Sequence, residues 1–545
     1  MDAGAGADDI AALAAECGLR VVADAAKRTR TVAARSFRRG SVLVAIHPLH
    51  AFPLRAGEDG APDAVARGAD SGGAARDAAG AGSGVGPETR CAHCFGALPQ
   101  RRPRCSRCRQ AEYCSMACLT RHWAARHHFE CGRLDVRAAD AAAAKIKPEF
   151  RPCLRMAAGI GAAVAGPAPA AGPRWLRVQR AAWDRLVSHR ERHPGYVLRQ
   201  YGEIARVIAA AAGGGGLRGA EDDTITALCR SGCNNFAASE PHGVRTAGHL
   251  CSPLVSLLLN HSCLPNAAFA YSPASGRQVV RALADIAEGD EVTLSYADGL
   301  LPRAERRKLL DAVYFFHCSC AKCCGGGGAR AQIDALMDRA PDSADQVPER
   351  LPTDYASPPA IEPWATRVLA LLAAAVAGDG PAPCTGDSPL ERSLLGAVAD
   401  VLPRNLSFAA YRHWLECQDE CLERIAAGQP AVHPWACVAA LYVLAFYALA
   451  YPPFHPLVGR QCLEAAKLVW NSLQLAGPGQ GSAHAAVASA ARARDLTRCA
   501  QRILAATADP DAADAAPSPA QEQAALLIAE LDRLAASSAE HCAWQ

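Results

Sequence analysis

The stretch that decides the fold is Asn260-His261-Ser262-Cys263-Leu264-Pro265-Asn266. It is followed by Gly289-Asp290-Glu291-Val292-Thr293-Leu294-Ser295-Tyr296, and then by Cys318-Ser319-Cys320-Ala321-Lys322-Cys323. Three cysteines within six residues are more than ordinary core packing explains. With Cys263 they make four thiolates, the number that a closed tetrahedral zinc site needs. The spacing predicts a zinc site that ties the loop at Asn260 to the segment after Tyr296.

The whole chain has the composition of a globular protein with several domains. Its 545 residues allow about two to four domains. The formal net charge of +3 is nearly balanced, so no overall attraction to nucleic acid or membrane follows. The acidic start, Met1-Asp2-Ala3 to Asp8-Asp9, lacks the basic region of a signal peptide. The uncharged run from Trp435 to Tyr451 is short for a membrane span, so we expect a buried helix there.

Residues 20–55 are predicted to form the first strands of a β-sheet. Val21-Val22 and Val42-Leu43-Val44-Ala45-Ile46 are short β-branched runs, and Arg38-Arg39-Gly40-Ser41 supplies a turn between them. Residues 56–90 consist mostly of Ala, Gly, Asp and Ser. That composition cannot offset its ordering entropy, so it predicts a flexible insertion.

The segment 91–131 has the densest metal-ligand pattern in the chain. Its ligands come in pairs: Cys91 and Cys94, Cys105 and Cys108, Cys114 and Cys118, and His127 and Cys131. The two C-x-x-C pairs fit knuckle turns, and the two pairs at i,i+4 predict both ligands on one helix face. Eight ligands make two zinc sites, which would supply the folding energy that about forty residues lack. His128 is the alternative to His127, and the regular H-x-x-x-C spacing favours His127.

The same segment is basic. Only Glu112 and Glu130 oppose its arginines, which are Arg101, Arg102, Arg104, Arg107, Arg109, Arg121 and Arg126. Such a charge run is either a solvated face or a docking surface. A docking surface would take an acidic or Pro-rich peptide, or DNA. The sequence leaves both readings open.

Helical patterns dominate the two remaining regions. Residues 132–230 are Ala-rich and broken by glycine and proline, which predicts a helical insert. Residues 325–545 are mostly helical, with candidates at Trp364–Ala377, Leu390–Leu402, Ser407–Ile425, Trp435–Ala450 and Leu457–Leu475. Tetratricopeptide-like helix pairs would suit these patterns, but no signature recurs at the expected period of about 34 residues. An ordinary helical bundle and a wall over a substrate groove are both compatible with them.

Together the motifs resemble a SET domain with an inserted MYND zinc finger, the layout of the SMYD family. N-H-S-C-x-P-N is one SET signature, and the segment ending at Tyr296 is a mild variant of the other, G-E-E-[LV]-x-x-x-Y. Tyr113 and Trp123 match the finger, although three residues rather than two separate Trp123 from His127. The resemblance covers roughly residues 20–324. It implies an α+β fold with a core SET domain at 231–300, a post-SET zinc segment at 301–324 and an α-helical C-terminal domain.

The resemblance also implies a reaction, the transfer of a methyl group from S-adenosylmethionine to a lysine of a histone or non-histone protein. Tyr296 matches the catalytic hydroxyl, and Tyr314 and Phe316 match the substrate channel. The matching cofactor-binding residues are Asn234, Asn260, His261 and Arg30. Three zinc ions are implied, two in the finger and one at the post-SET segment, bound by Cys91, Cys94, Cys105, Cys108, Cys114, Cys118, His127, Cys131, Cys263, Cys318, Cys320 and Cys323.

One segment departs from the family pattern. Where the family has a G-x-G-like turn beside the cofactor, this chain has Arg28-Thr29-Arg30-Thr31-Val32. Threonine cannot adopt the positive-φ conformations of glycine cheaply, which predicts a different or weaker grip on the cofactor. The alternative function is therefore a zinc-dependent interaction adaptor with little or no methyl transfer. In either case we expect a monomer in the nucleus, the cytoplasm or both, with protein partners and no membrane.

Overall fold

The computed structural model combines helices with short β-strands. It describes residues 3–54, 90–132, 146–164, 172–211, 221–239, 246–324, 327–339, 358–378, 386–399, 406–475, 483–512 and 518–543. The predicted flexible insertion at 56–90 lies, except for Arg90, outside the described residues, as do parts of the helical insert and of the tail. The mixture of elements confirms the α+β class.

Strands form near the amino terminus where the β-branched runs predicted them. Helix α1 (Ala3–Glu16) leads into the antiparallel hairpin of β1 (Leu19–Asp24) and β2 (Arg28–Ala33). Strands β3 (Val42–Ile46) and β4 (His50–Pro53) follow. The turn before β3 places Gly40 at a φ of 81°, a conformation that glycine adopts without a steric cost.

A long, mainly helical excursion separates these strands from the remaining ones. It contains α2 (Met116–His122) within the cysteine-rich module, which we define as residues 91–131. The helical insert follows with α3 (Arg151–Val164), α4 (Arg174–Arg185), α5 (Gly195–Ala211) and α6 (Glu221–Gly232). The apolar faces of α3, α5 and α6 meet in one cluster through Leu154, Ile204 and Leu228, which are nearly inaccessible to solvent. Burial of these faces explains why the Ala-rich sequence is helical here.

The short helix α7 (Pro253–Leu258) and the remaining strands follow the excursion, and the strands of the described chain form four small sheets. The remaining strands are β5 (Asn235–Ser239), β6 (Thr246–Cys251), β7 (Asn260–His261), β8 (Ala267–Tyr271), β9 (Gln278–Ala282) and β10 (Thr293–Leu294). β3 pairs with β9, and β4 pairs with β6, so strands from both sides of the excursion share one core. That core includes Leu43, Leu250, Leu254, Val280 and Leu294, all buried.

The parallel pairing of β7 and β10 positions the decisive stretch. It sets Asn260 opposite Thr293 and His261 opposite Leu294. Strand β10 is short and covers Thr293–Leu294 only. Tyr296 has left the ladder, and its backbone N–H bonds to the His261 ring instead.

The rest of the described chain is helical. It begins with helix α8 (Arg303–Tyr314). It is followed by α9 (Ala329–Met337), α10 (Pro363–Ala377), α11 (Pro389–Val398), α12 (Phe408–Ala426), α13 (His433–Ala450), α14 (Pro456–Leu475), α15 (Ala483–Ala506) and α16 (Pro519–Ala543). The five helices predicted in the tail form within a few residues of their expected bounds, and α15 and α16 extend the helical tail further.

Helix α13 is the centre of this helical tail. Residues 430–450 form a helical stretch that is apolar and long enough to cross a membrane by those criteria alone, and 89% of its apolar window is buried inside the protein. Trp364 of α10 packs its ring against Tyr442 and Phe446 of α13. The prediction of a buried helix over this run is confirmed.

Candidate active site

The predicted metal ligands converge into three groups of four. These groups are Cys91, Cys94, Cys114 and Cys118; Cys105, Cys108, His127 and Cys131; and Cys263, Cys318, Cys320 and Cys323. Within each group all ligand atoms lie within 4.8 Å of one another. The cysteine-rich module is therefore cross-braced, because its first ligand pair joins the third and its second joins the fourth.

Distances within the groups suit zinc. Sγ–Sγ separations are 3.6 Å for Cys94 and Cys114, 3.5 Å for Cys114 and Cys118, and 3.7 Å for Cys105 and Cys131. A tetrahedral site with Zn–S bonds of about 2.3 Å has sulfur–sulfur edges of about 3.8 Å. The donor sets, four sulfurs in one site and three sulfurs with one imidazole in the other, are those of structural zinc.

The two C-x-x-C pairs sit in turns, as predicted. Each turn closes on a residue with positive φ, Phe95 at 62° and Arg109 at 57°. The prediction that Cys114 and Cys118 share a helix face is wrong, because α2 begins at Met116. Ser115 caps that helix by accepting a hydrogen bond from the Cys118 N–H.

Three residues rather than the two of the family pattern separate Trp123 from His127, and the helix accommodates the additional residue. Residues Trp123–His127 form a π-helical turn, which accommodates one additional residue within a helix. The turn brings His127 Nε2 to 3.4 Å from Cys108 Sγ. The competing His128 places its Nδ1 at 2.6 Å from the Trp123 carbonyl and lies outside the ligand group.

The module is fixed to the sheet rather than tethered to it. Phe95 stacks on Tyr271 of β8 with ring centroids 4.5 Å apart, and the Tyr271 hydroxyl donates to the His93 carbonyl. Buried Arg126 donates to the Ala51 carbonyl of β4 at 3.1 Å. Arg126, one of the seven arginines of the module, is thus engaged internally. Arg102 and Arg104 also contribute little free charge, since both form ion pairs with Glu112.

The third ligand group, which we call the Cys263 cluster, joins the Asn260 loop to the segment after Tyr296. Cys263 Sγ lies 3.9 Å from Cys318 Sγ and 3.5 Å from Cys323 Sγ, again close to a zinc–thiolate tetrahedron. Arg306 of α8 donates to Cys323 Sγ at 3.7 Å, which offsets part of the negative charge of four thiolates. The juxtaposition agrees with the predicted clamp.

Asn260 has its side-chain orientation fixed by two acceptors. Its Nδ2 donates to the Thr29 carbonyl at 2.8 Å and to Glu291 Oε1 at 3.2 Å. Glu291 in turn accepts from Lys27 Nζ at 2.7 Å. Within the described chain, the Asn260 Oδ1 receives no protein hydrogen bond, so it remains an acceptor for a bound molecule.

His261 is a neutral imidazole that joins three features of the site. Burial lowers the pKa of His261 to about 4. Its Nδ1 accepts the Tyr296 N–H at 2.9 Å, and its Nε2 lies 3.1 Å from Cys263 Sγ. The ring centroid is 5.8 Å from that of Phe316. His261 therefore links the cysteine cluster to the tyrosine.

Tyr296 sits among aromatic rings. Its ring centroid is 4.9 Å from that of Tyr314 and 6.4 Å from that of Phe316, the latter edge-on. Its hydroxyl donates to the Leu259 carbonyl at 2.5 Å. Burial raises the pKa of Tyr296 above its usual value, so the phenol stays protonated at neutral pH. The four residues predicted to surround the reaction, including His261, are thus in one place.

Two of the predicted cofactor-binding side chains are occupied elsewhere. Asn234 Nδ2 donates to the Arg230 carbonyl at 2.8 Å, so it caps its own helix. Arg30 is exposed and forms an ion pair with Asp24 at 3.8 Å. Their contact with a cofactor stays a prediction.

The threonines have ordinary strand conformations. Within β2 the positive φ, 67°, belongs to Arg28, whereas Thr29 and Thr31 are not in the left-handed region. Thr31 is buried and its hydroxyl donates to the Leu258 carbonyl. The conformational reason for expecting a weaker grip on the cofactor is therefore removed.

Several residues around the site were not singled out by the sequence. Glu291 holds Asn260, and it lies inside the quoted signature, so its acidic character was a usable signal. Phe315, between the two channel aromatics, contacts His189 and His193 of the helical insert. No local pattern indicated that contact, since the partners are more than a hundred residues away.

Comparison with known proteins agrees with this geometry. The SET domain family model matches residues 111–297. Mouse "N-lysine methyltransferase SMYD2" is 26% identical over 265 residues, which cover 47% of this chain and 55% of the relative. Human "Histone-lysine N-methyltransferase SMYD3" is 27% identical over 230 residues, which cover 40% of this chain and 48% of the relative. Mouse "Histone-lysine N-methyltransferase Smyd1" is 35% identical over 102 residues, which cover 17% of this chain and 21% of the relative. The chain thus spans about half the length of the curated relatives that it matches.

Proposed function

We propose that the chain is a SET-domain protein of the SMYD family and that it is a protein-lysine N-methyltransferase using S-adenosylmethionine. The substrate would be a lysine side chain of a histone or another protein. The observation that carries the proposal is the grouping of Tyr296 with Tyr314, Phe316 and His261 beside the Asn260 amide.

These residues fit the chemistry that the cofactor requires. When bound, the cofactor supplies an electrophilic methyl group on a cationic sulfonium. The Tyr296 hydroxyl oxygen and the Leu259 carbonyl present partial negative charge, and the aromatic faces of Tyr314 and Phe316 attract cations. The Asn260 Oδ1, held outward by its two N–H bonds, can accept from an amino group of the cofactor.

The lysine must arrive as a neutral amine. A lysine ammonium has a pKa near about 10.4 in water and is not a nucleophile. The partly buried rings of Tyr314 and Phe316 would remove water from the incoming ammonium, which disfavours its charged form, and its proton would pass to bulk water on entry. The protonated Tyr296 hydroxyl and the Leu259 carbonyl then orient the neutral amine for in-line attack, so placement contributes more than acid-base chemistry.

Zinc would act structurally. Three ions are proposed, two in the cysteine-rich module, which we assign as a MYND finger, and one in the Cys263 cluster. The last ion would fix the loop of Asn260 and His261 against the segment of Phe316. Zinc loss should then abolish transfer although no zinc ligand touches the substrate.

A matched pair of variants tests the proposal. Tyr296→Phe and Tyr271→Phe each remove a hydroxyl that donates to a backbone carbonyl at 2.5 Å, but only Tyr296 lies at the site. We expect Tyr296→Phe to lower kcat by about 10²- to 10³-fold, the effect of losing one preorganised polar group. Cofactor affinity measured by calorimetry should stay nearly unchanged, and Tyr271→Phe should keep full kcat. The proposal is abandoned if the wild-type chain binds no cofactor at millimolar concentration.

The finger supplies a second, non-catalytic surface. Arg101, Arg107 and Arg121 are not bound to carboxylates in the described chain, and Met116 and Trp123 are exposed nearby in the same module. We propose that this face binds an acidic or Pro-rich peptide. A binding assay in which DNA competes with the peptide would test the choice of ligand. We also propose that the protein is a monomer and that it resides in the nucleus, the cytoplasm or both.

A further inference from the structure

Strained backbone conformations identify a second feature of the site. Among the described residues, five non-glycine residues have positive φ. Two of them, Phe95 and Arg109, close the zinc knuckles. The other three are Arg28 at 67°, His189 at 48° and Phe315 at 61°, and of these His189 and Phe315 contact each other beside the two channel aromatics. Such outliers persist only when surrounding contacts hold them, and they concentrate at functional sites.

Phe315 is held by a loop of the helical insert. This loop, residues 187–193, joins α4 to α5 and is anchored to α6 by an ion pair from Arg190 to Asp222. The Phe315 ring centroid lies 5.1 Å from that of His189 and 4.9 Å from that of His193, the latter edge-on. Arg192 lies 5.0 Å above the same ring and donates to the Phe315 carbonyl.

The left-handed residue determines where its two neighbours point. Phe315 ends α8, and its N–H bonds back to the Leu310 carbonyl. Its ring faces the insert, whereas the rings of Tyr314 and Phe316 face Tyr296 on the other side. If Phe315 relaxed to a right-handed or extended conformation, the chain direction after Tyr314 would change, and the two channel rings could not keep their present positions.

We propose that loop 187–193 is a positioning element, and that its grip on Phe315 sets the width of the lysine channel. The inference rests on the proposed function and deepens it, because it assigns a role in the reaction to the helical insert. His189, Arg192 and His193 act through Phe315 and do not touch the reacting atoms. A channel whose walls are released should place the amine less well and should admit a bulkier, already methylated amine.

Two kinds of substitution test the grip on Phe315. Phe315→Gly removes the ring that the loop contacts, and because glycine adopts left-handed and right-handed conformations about equally, ring contacts no longer hold the backbone in the left-handed state. Phe315→Gly should lower kcat by about 10- to 100-fold, as misplacement of a reactant does. The fraction of di- and trimethylated peptide should rise, and the Kd for the cofactor should not change. His193→Ala should reproduce the effect more weakly, and His193→Phe should restore kcat because it keeps an edge-on aromatic contact.

Controls distinguish positioning from instability. Leu468→Ala opens a cavity in α14, far from the site, and serves as the variant matched in melting temperature. The proposal is overturned if Leu468→Ala and Phe315→Gly lose kcat equally, or if His193→Phe fails to restore it.

The failure of the proposed function would look different. If the zinc-loaded wild-type chain transfers no methyl group, the enzyme assignment fails while the positioning claim can still be judged. A crystal structure of Phe315→Gly then decides it. Displaced Tyr314 and Phe316 rings support the claim, and a Tyr314–Tyr296 centroid separation still at 4.9 Å refutes it.

Discussion

Asp334 of α9 is the residue whose removal should connect the helical tail to the active site. Its carboxylate accepts two hydrogen bonds from the Arg306 guanidinium, at 2.9 and 2.5 Å, and lies 3.6 Å from Lys322 Nζ. Arg306 is 0% exposed and Lys322 is 3% exposed, so Asp334→Ala leaves two cations buried without a carboxylate. Removing one partner of a buried pair costs about 3 to 5 kcal/mol. That is a large part of the 5 to 15 kcal/mol that roughly bounds the stability of a domain.

Although two cations lose their carboxylate, the loss of stability should be less than twice the cost of one broken pair. Burial lowers the pKa of Lys322, and the nearby Asp334 charge opposes that shift. Without Asp334, Lys322 can therefore shed its proton and avoid part of the penalty, whereas arginine stays charged. We expect a decrease of about 4 kcal/mol in the free energy of unfolding, measured in urea.

The same variant should loosen the Cys263 cluster. Arg306 also donates to Cys323 Sγ, and Lys322 lies between two of the cysteine ligands in sequence. Freed from Asp334, these cations no longer hold the zinc-binding turn against α9. When a chelator is added, Asp334→Ala should lose the zinc ion proposed for the Cys263 cluster before the two proposed for the cysteine-rich module. Methyl transfer should fall as that ion is lost.

A neighbouring ion pair provides the control. Asp338 pairs with Arg303 at 3.5 Å and accepts its backbone N–H at 2.7 Å, but Arg303 is 30% exposed, so Asp338→Ala should cost only about 1 to 2 kcal/mol. The reasoning is refuted if Asp334→Ala changes the free energy of unfolding no more than Asp338→Ala, or if its zinc is retained as in the wild type.

Two further predictions concern packing and pH. A Cβ on Gly248 would lie 2.6 Å from the Phe52 carbonyl and 2.7 Å from the Phe95 ring, so Gly248→Ala should cost about 1 to 3 kcal/mol in urea unfolding and loosen the cysteine-rich module from the sheet. Burial lowers the pKa of His455 to about 4, against about 6.5 in the unfolded chain, so the unfolded state binds more protons between these values. The contribution of neutral His455 to the free energy of unfolding, about 3 kcal/mol, is fully present above pH 6.5 and is lost as the pH falls to 4. His455→Phe, which keeps the stack on Tyr451, should flatten urea stability between pH 7 and 4; an unchanged slope contradicts the assignment.

The metal ligands were the part of the site that sequence predicted best. Ligand atoms of one ion must converge, so the type and spacing of Cys and His residues carry information that does not depend on the rest of the fold. The cross-braced pairing within the module was not predictable in this way. Either neighbouring or alternate pairs can share an ion at these spacings, and the choice is made by turns such as those at Phe95 and Arg109.

The arrangement of the channel aromatics could not be derived from local sequence. Helical periodicity does not show that α8 continues to Tyr314 or that the next residue is left-handed, because an L-residue resists that conformation on its own. The contacts that impose it come from His189 and His193, in a region where the sequence showed only Ala-rich helices. Tertiary contact overrides local preference here, in the wall of the proposed channel.

The threonines show how a sequence argument can fail for a definable reason. Replacing glycine matters through φ, through side-chain volume, or through both. The structure removes the first reason, because the left-handed residue of β2 is Arg28 and not a threonine. The second reason is reduced at Thr31, whose side chain is 1% exposed and bonded to the Leu258 carbonyl, so its volume fills the core. What this segment offers toward Asn260 is the Thr29 carbonyl, a backbone atom that glycine would present equally. A wall built from backbone oxygens tolerates this exchange, which makes the intact Asn260, His261 and Tyr296 the better guide to activity.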